Sequence, residues 1–100
     1  MLVYQLKLLE LGECLEPVFK TKENAQCFKE KYKTRNIIIK ERYLENIKDD
    51  LVYRIKTLES DGYTLEEEVF SSIAEASKFL KNEHQSIVES RLYWWEVFTL

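Results

Sequence analysis

Apolar and polar residues alternate along residues 2–10, with Leu2, Tyr4, Leu6 and Leu8 on one side and Val3, Gln5, Lys7 and Leu9 on the other. That is the period-two pattern of a half-buried strand. Residues 51–59 repeat it. Gly12 in the first stretch and Asp61-Gly62 in the second supply the backbone freedom of a hairpin turn, after which residues 15–20 and 63–70 read as second strands. The period then changes to three and four residues. Ala25, Phe28 and Tyr32 form one helical stripe, and Ile73, Ala76, Phe79 and Leu80 form another. Ser72 with Glu75 fits a capping box, and Thr21 with Asn24 is its weaker counterpart. Residues 36–44 and 85–98, rich in β-branched and aromatic side chains, read as third strands, and residues 45–50 as a polar linker.

The two stretches match residue by residue. Val3-Tyr4-Gln5-Leu6-Lys7-Leu8-Leu9-Glu10 lies over Val52-Tyr53-Arg54-Ile55-Lys56-Thr57-Leu58-Glu59 at an offset of 49. Gly12 then meets Gly62, and an offset of 51 carries Val18-Phe19 onto Val69-Phe70, Ala25 onto Ala76, Phe28 onto Phe79 and Glu45 onto Glu96. The reading is an internal duplication of a ββαβ unit, with repeat 1 at residues 1–46 and repeat 2 at residues 51–100, forming one domain over residues 1–100. The expected fold is α+β, an antiparallel sheet of about six strands with two helices packed on one face. Two smaller sheets packed together, and a domain-swapped dimer, are the alternatives.

Carrying the offset of 51 into the last strand turns Val88, Leu92, Trp94 and Phe98 toward the core and leaves Ile87, Glu89, Arg91, Tyr93, Trp95 and Val97 outward. The same logic places Lys7, Lys40, Arg42, Arg54, Lys56 and Arg91 on an outer sheet face beside Tyr93 and Trp95. A basic face with exposed rings suits single-stranded nucleic acid, whereas Glu66 and Glu68 between the cations would make it an ordinary solvated face. Aromatic residues and Arg are also the residues enriched at protein–protein hot spots. The candidate partner-binding residues are therefore Trp95, Tyr93, Arg91, Arg54, Lys56, Lys7 and Arg42.

Composition adds mostly exclusions. A chain of 100 residues that is 45% hydrophobic and 33% charged, with two glycines and one proline, is not disordered in character, and its net charge of −3 names no polyanionic partner. Cys14 and Cys27 lack metal or CxxC spacing and read as reduced thiols. His84 stands alone at a helix-to-strand junction, neither glycine belongs to a phosphate-cradling loop, and the carboxylates of Glu66, Glu67 and Glu68 alternate across a strand instead of converging. No cofactor, metal site or catalytic set is expected. No run approaches the roughly 20 apolar residues of a membrane span, so a soluble cytoplasmic protein is expected. The functional expectation is a non-catalytic macromolecular interaction protein whose partner is a protein, with self-association as a homodimer also open. One concrete form is a phage or mobile-element inhibitor of a host defence system, of the anti-CRISPR kind. The alternative is a nucleic-acid-binding module using the basic, aromatic sheet face.

Overall fold

Hydrophobic alternation sets the strands and Gly12 and Gly62 set the turns, both glycines having positive φ (+70° and +133°). The computed structural model describes residues 1–32 and 36–92. In chain order they form β1 (Leu2–Leu8), β2 (Glu13–Phe19), α1 (Lys22–Lys29), a 3₁₀ turn (Glu30–Tyr32), β3 (Ile37–Tyr43), β4 (Leu51–Glu59), β5 (Gly62–Phe70), α2 (Ile73–Ser77) and β6 (Gln85–Arg91). The protein is α+β, with two separate antiparallel three-stranded sheets ordered β2-β1-β3 and β5-β4-β6.

The described residues hold six strands, close to the number expected, but the sheet is not continuous and the helices do not share a face. Each helix lies on its own sheet. Leu6, Leu8, Phe19 and Ile37 pack with Ala25 of α1, and Ile55 and Phe70 pack with Ala76 of α2. The opposite, helix-free faces meet through Val3, Val18 and Leu44 from the first sheet and Val52, Val69 and Leu92 from the second. The physical reason lies in the strands themselves, which are apolar on both faces near the linker. One flat sheet with both helices on one side would leave Val3, Val18, Val52 and Val69 in water, at about 25 cal/mol per Å² of apolar area. Folding the halves together covers them.

Both helices begin where the sequence indicates. Thr21 Oγ1 accepts from the Asn24 N–H and Ser72 Oγ from the Glu75 N–H, each at 3.2 Å. Their lengths differ, and α2 has only five residues. Of its expected stripe only Ala76 is buried, while Ile73, Phe79 and Leu80 stay exposed; Phe79 nevertheless stacks on Phe70 at 4.8 Å between ring centroids, as Phe28 does on Phe19 at 5.4 Å.

The shorter second helix changes the phase of the last strand. Register pairs Tyr43 with Leu2 and Arg91 with Leu51, so β3 and β6 correspond at an offset of 48, not 51. A shift of three is odd, and an odd shift exchanges the two faces of a strand. Ile87, expected to point outward, therefore packs near α2, and Val88 lies opposite Arg54 on the sheet-to-sheet side.

Candidate functional site

The helix-free faces carry the chain's most unusual chemistry. Between the Gln5–Val18 and Lys7–Cys14 pairs, β1 contributes Leu6 alone while β2 contributes residues 15–17; β4 and β5 do the same with Ile55 against residues 66–68. Each sheet thus has a bulge at the same place. The two surplus residues preserve face parity and release backbone carbonyls from the ladder, and Pro17, which has no N–H to donate, occupies one bulge. Arg54 takes up the released carbonyls across the sheets. Its Nη1 donates to Leu15 O at 2.7 Å and Glu16 O at 2.8 Å, and its Nη2 lies 3.5 Å from Glu66 O. Gln5 is the corresponding residue of β1, also buried, and among the described residues its Nε2 has no hydrogen-bond partner, nor has Arg54 Nε. Cys14 lies beside Arg54. It belongs to β2 and is buried; burial pushes its thiol pKa up, with Arg54 opposing. Burial also lowers the Arg54 pKa, opposed by Cys14 and Glu16. Both cysteines are free thiols.

The basic residues of the proposed face are dispersed. Arg54 is 0% exposed and is therefore withdrawn from any surface, its guanidinium held inside by hydrogen bonds to the bulge carbonyls that offset part of the cost of burying it. Lys7 and Lys40 both pair with Glu67 at 2.9 Å, and Arg42 pairs with Glu68. Hydrogen bonding to Lys40 and then Lys7 lowers the Glu67 pKa, while the Glu67 bond raises that of Lys40. Glu67, which the sequence reading did not place among the cations, is thus the carboxylate between the lysines, while Glu68 answers Arg42 as that reading allowed. Glu66 instead accepts from Thr57 Oγ1 at 2.6 Å. Lys56 lies over the Tyr63 ring at 4.3 Å. Arg91 sits on the α2 side of its sheet and donates to Asp49 O at 2.9 Å, so it shares no face with Arg54 and Lys56. Tyr93 and Trp95 lie outside the described residues.

A second surface was missed by the sequence reading. Val3, Val18, Leu44, Val52, Val69 and Leu92 cluster at the linker end of both sheets, so the β1–β2 and β4–β5 turns project from the other end. These turns carry large exposed apolar side chains: Leu9 (52%), Leu11 (64%), Leu58 (46%) and Tyr63 (60%). The signal in the sequence is the apolar residues flanking Gly12 and Gly62, where a turn is ordinarily polar. The turns are tied to the neighbouring strands' ends, with the Leu9 N–H donating to Asn36 O and the Leu58 N–H to His84 O, both at 2.9 Å.

Among the described residues no group of three or more His, Cys, Asp or Glu side chains could hold a metal ion, and no helix is long and apolar enough to cross a membrane. Comparison with known proteins finds no family model, no curated protein and no solved structure that matches the chain.

Proposed function

We propose that the protein is a non-catalytic binding protein, that its partner is another protein engaged by the two hairpin turns, and that its halves descend from a duplicated ββαβ unit. The observation that carries the binding reading is the exposure of Leu9, Leu11, Leu58 and Tyr63 at one end of the molecule. Apolar side chains gathered on fixed turns supply the affinity of a protein contact without an ordering cost at the moment of binding. The duplication is supported by the matching strand orders, the bulges at corresponding positions and the paired Phe contacts in both halves.

A nucleic-acid partner is disfavoured by charge. Lys7, Lys40 and Arg42 are paired with Glu67 and Glu68, Arg54 is buried, and Lys56 and Arg91 occupy different faces. A photo-reactive amino acid placed at position 11 or 63, and at exposed Tyr43 at the linker end as control, tests the reading in extract of the source cells. Protein adducts are expected from positions 11 and 63 and not from 43. Adducts made of nucleic acid, or equal labelling from all three positions, would overturn it. Labelled oligonucleotides titrated at low salt should show no shift.

A further inference from the structure

We propose that two copies of this chain exchange halves, the β1–β3 half of each closing on the β4–β6 half of the other, with the connection between Tyr43 and Leu51 as the hinge. The contacts that join the halves are available to a second copy without alteration. Val3, Val18 and Leu44 meet Val52, Val69 and Leu92; Arg54 donates to Leu15 O and Glu16 O; Lys7 and Lys40 pair with Glu67, and Arg42 with Glu68. Each of these runs from the first half to the second, and none requires that both belong to one chain. An exchanged dimer therefore contains every one of them twice, and it differs from two monomers only at the hinge.

The hinge is strained in the monomer. Asn46, Asp49 and Asp50 have φ of 61°, 56° and 57°, in the left-handed region. Asn and Asp enter it more readily than other side chains, but as single residues, and Asp49 and Asp50 do so in succession. They are the central residues of a turn closed by the Leu51 N–H on Lys48 O at 3.0 Å, and turns with positive φ at both central positions ordinarily take glycine at the second. A short hinge under such strain favours exchange, because an extended path from one copy to the other releases the turn while the contacts between halves are kept. Opening gives up little: the turn's own bond, the Arg91 bond to Asp49 O at 2.9 Å, and the Lys20–Asp50 pair at 3.2 Å, whose side chains are partly exposed and rehydrate. Opening a folded monomer would uncover Val3, Val18, Val52 and Val69, so exchange takes place during folding and depends on the concentration at which the chain folds.

The full chain is unfolded in urea, refolded at low and at high concentration, and followed by size-exclusion chromatography with light scattering. The ratio of dimer to monomer is expected to rise in proportion to the concentration at refolding. Asp49→Gly, which lets position 49 hold its φ without strain and leaves the contacts between halves in place, should lower that ratio about fivefold. Two charge-reversed chains then identify the exchange. Glu67→Lys sets a like charge against Lys7 and Lys40, and Lys7→Glu/Lys40→Glu sets like charges against Glu67; in an exchanged pair of the two, each half meets its opposite charge. These ion pairs are partly exposed, so both chains fold. Refolded together, they should give the mixed dimer in about tenfold excess over either like dimer, whereas a dimer made through any other surface pairs at random. A chain that is monomeric after refolding at every concentration, an Asp49→Gly chain with the wild-type ratio, or a mixed dimer no more abundant than random pairing gives overturns the exchange.

Discussion

Arg54 satisfies its guanidinium with backbone carbonyls, at 2.7 Å from Leu15 O and 2.8 Å from Glu16 O, and those carbonyls are free because the bulge takes them out of the ladder. Removing the side chain orphans the carbonyls and opens a cavity between the sheets. Arg54→Ala is therefore expected to cost about 3 kcal/mol or more in urea denaturation, and Arg54→Gln, which installs the residue found at the corresponding position 5, to cost less. Nothing in the local sequence marks Arg54 apart from Lys56 two residues on, since both are cations of one strand face; only the position of the opposing bulge separates them. Cys14 gives a second test. Its raised pKa means that the folded chain keeps the proton over a range in which the unfolded chain has lost it. Stability is then full below the unfolded thiol value, about 8.5, and falls as pH rises through the folded value. Cys14→Ala should abolish that alkaline slope in a series of denaturation curves. Glu67 behaves in the opposite sense, its pKa being lowered by Lys40 and Lys7. Its contribution is present above the unfolded carboxylate value, about 4.3, and is lost as pH falls through the folded one. The pairs are partly exposed, so Glu67→Gln should change stability at neutral pH by less than about 1 kcal/mol while flattening the acid limb.

The strands and caps obey short-range rules, and they were legible: β4 occupies Leu51–Glu59 as its alternation indicates, and Thr21 and Ser72 cap their helices. Thr21→Ala and Ser72→Ala should each cost about 1 kcal/mol by thermal or urea unfolding. What the local pattern did not reveal is helix length. The stripe through Leu80 predicts a helix longer than five residues, but α2 ends at Ser77, so Phe79 and Leu80 lie beyond it and remain exposed, as Ile73 does within it. That early end removes three residues from the return path and sets β6 at an offset of 48, which turned the expected faces of residues 87–91 inside out. An alternating pattern gives two equivalent phases for a strand, and only the partner strand chooses between them. In hydrogen exchange, amides of residues 73–77 should exchange well before those of α1, since α2 contributes one buried residue to its sheet.

At the scale of the molecule, the shared cluster of Val3, Val18, Leu44, Val52, Val69 and Leu92 makes each sheet the cover of the other. Unfolding is expected as one cooperative transition, with amides of β1 and β4 losing protection together, and a peptide of residues 1–46 should stay unfolded, because its Val3 and Val18 would face water. Separate transitions for the two halves would contradict that dependence. The hairpin-turn surface belongs to the same scale: its apolar residues can be read from the chain, but their gathering at one end follows from how the sheets stack. By itself the sequence determined the strands of the described residues, the glycine turns and the helix starts, all of which depend on neighbours a few residues apart. Tertiary structure alone decided that the strands form two sheets, that Arg54 is interior, and that Lys7, Lys40 and Arg42 are answered by Glu67 and Glu68. The physical reason is that burial of a face and neutralisation of a charge are properties of what lies across from a residue, and periodicity along one strand does not specify its opposite.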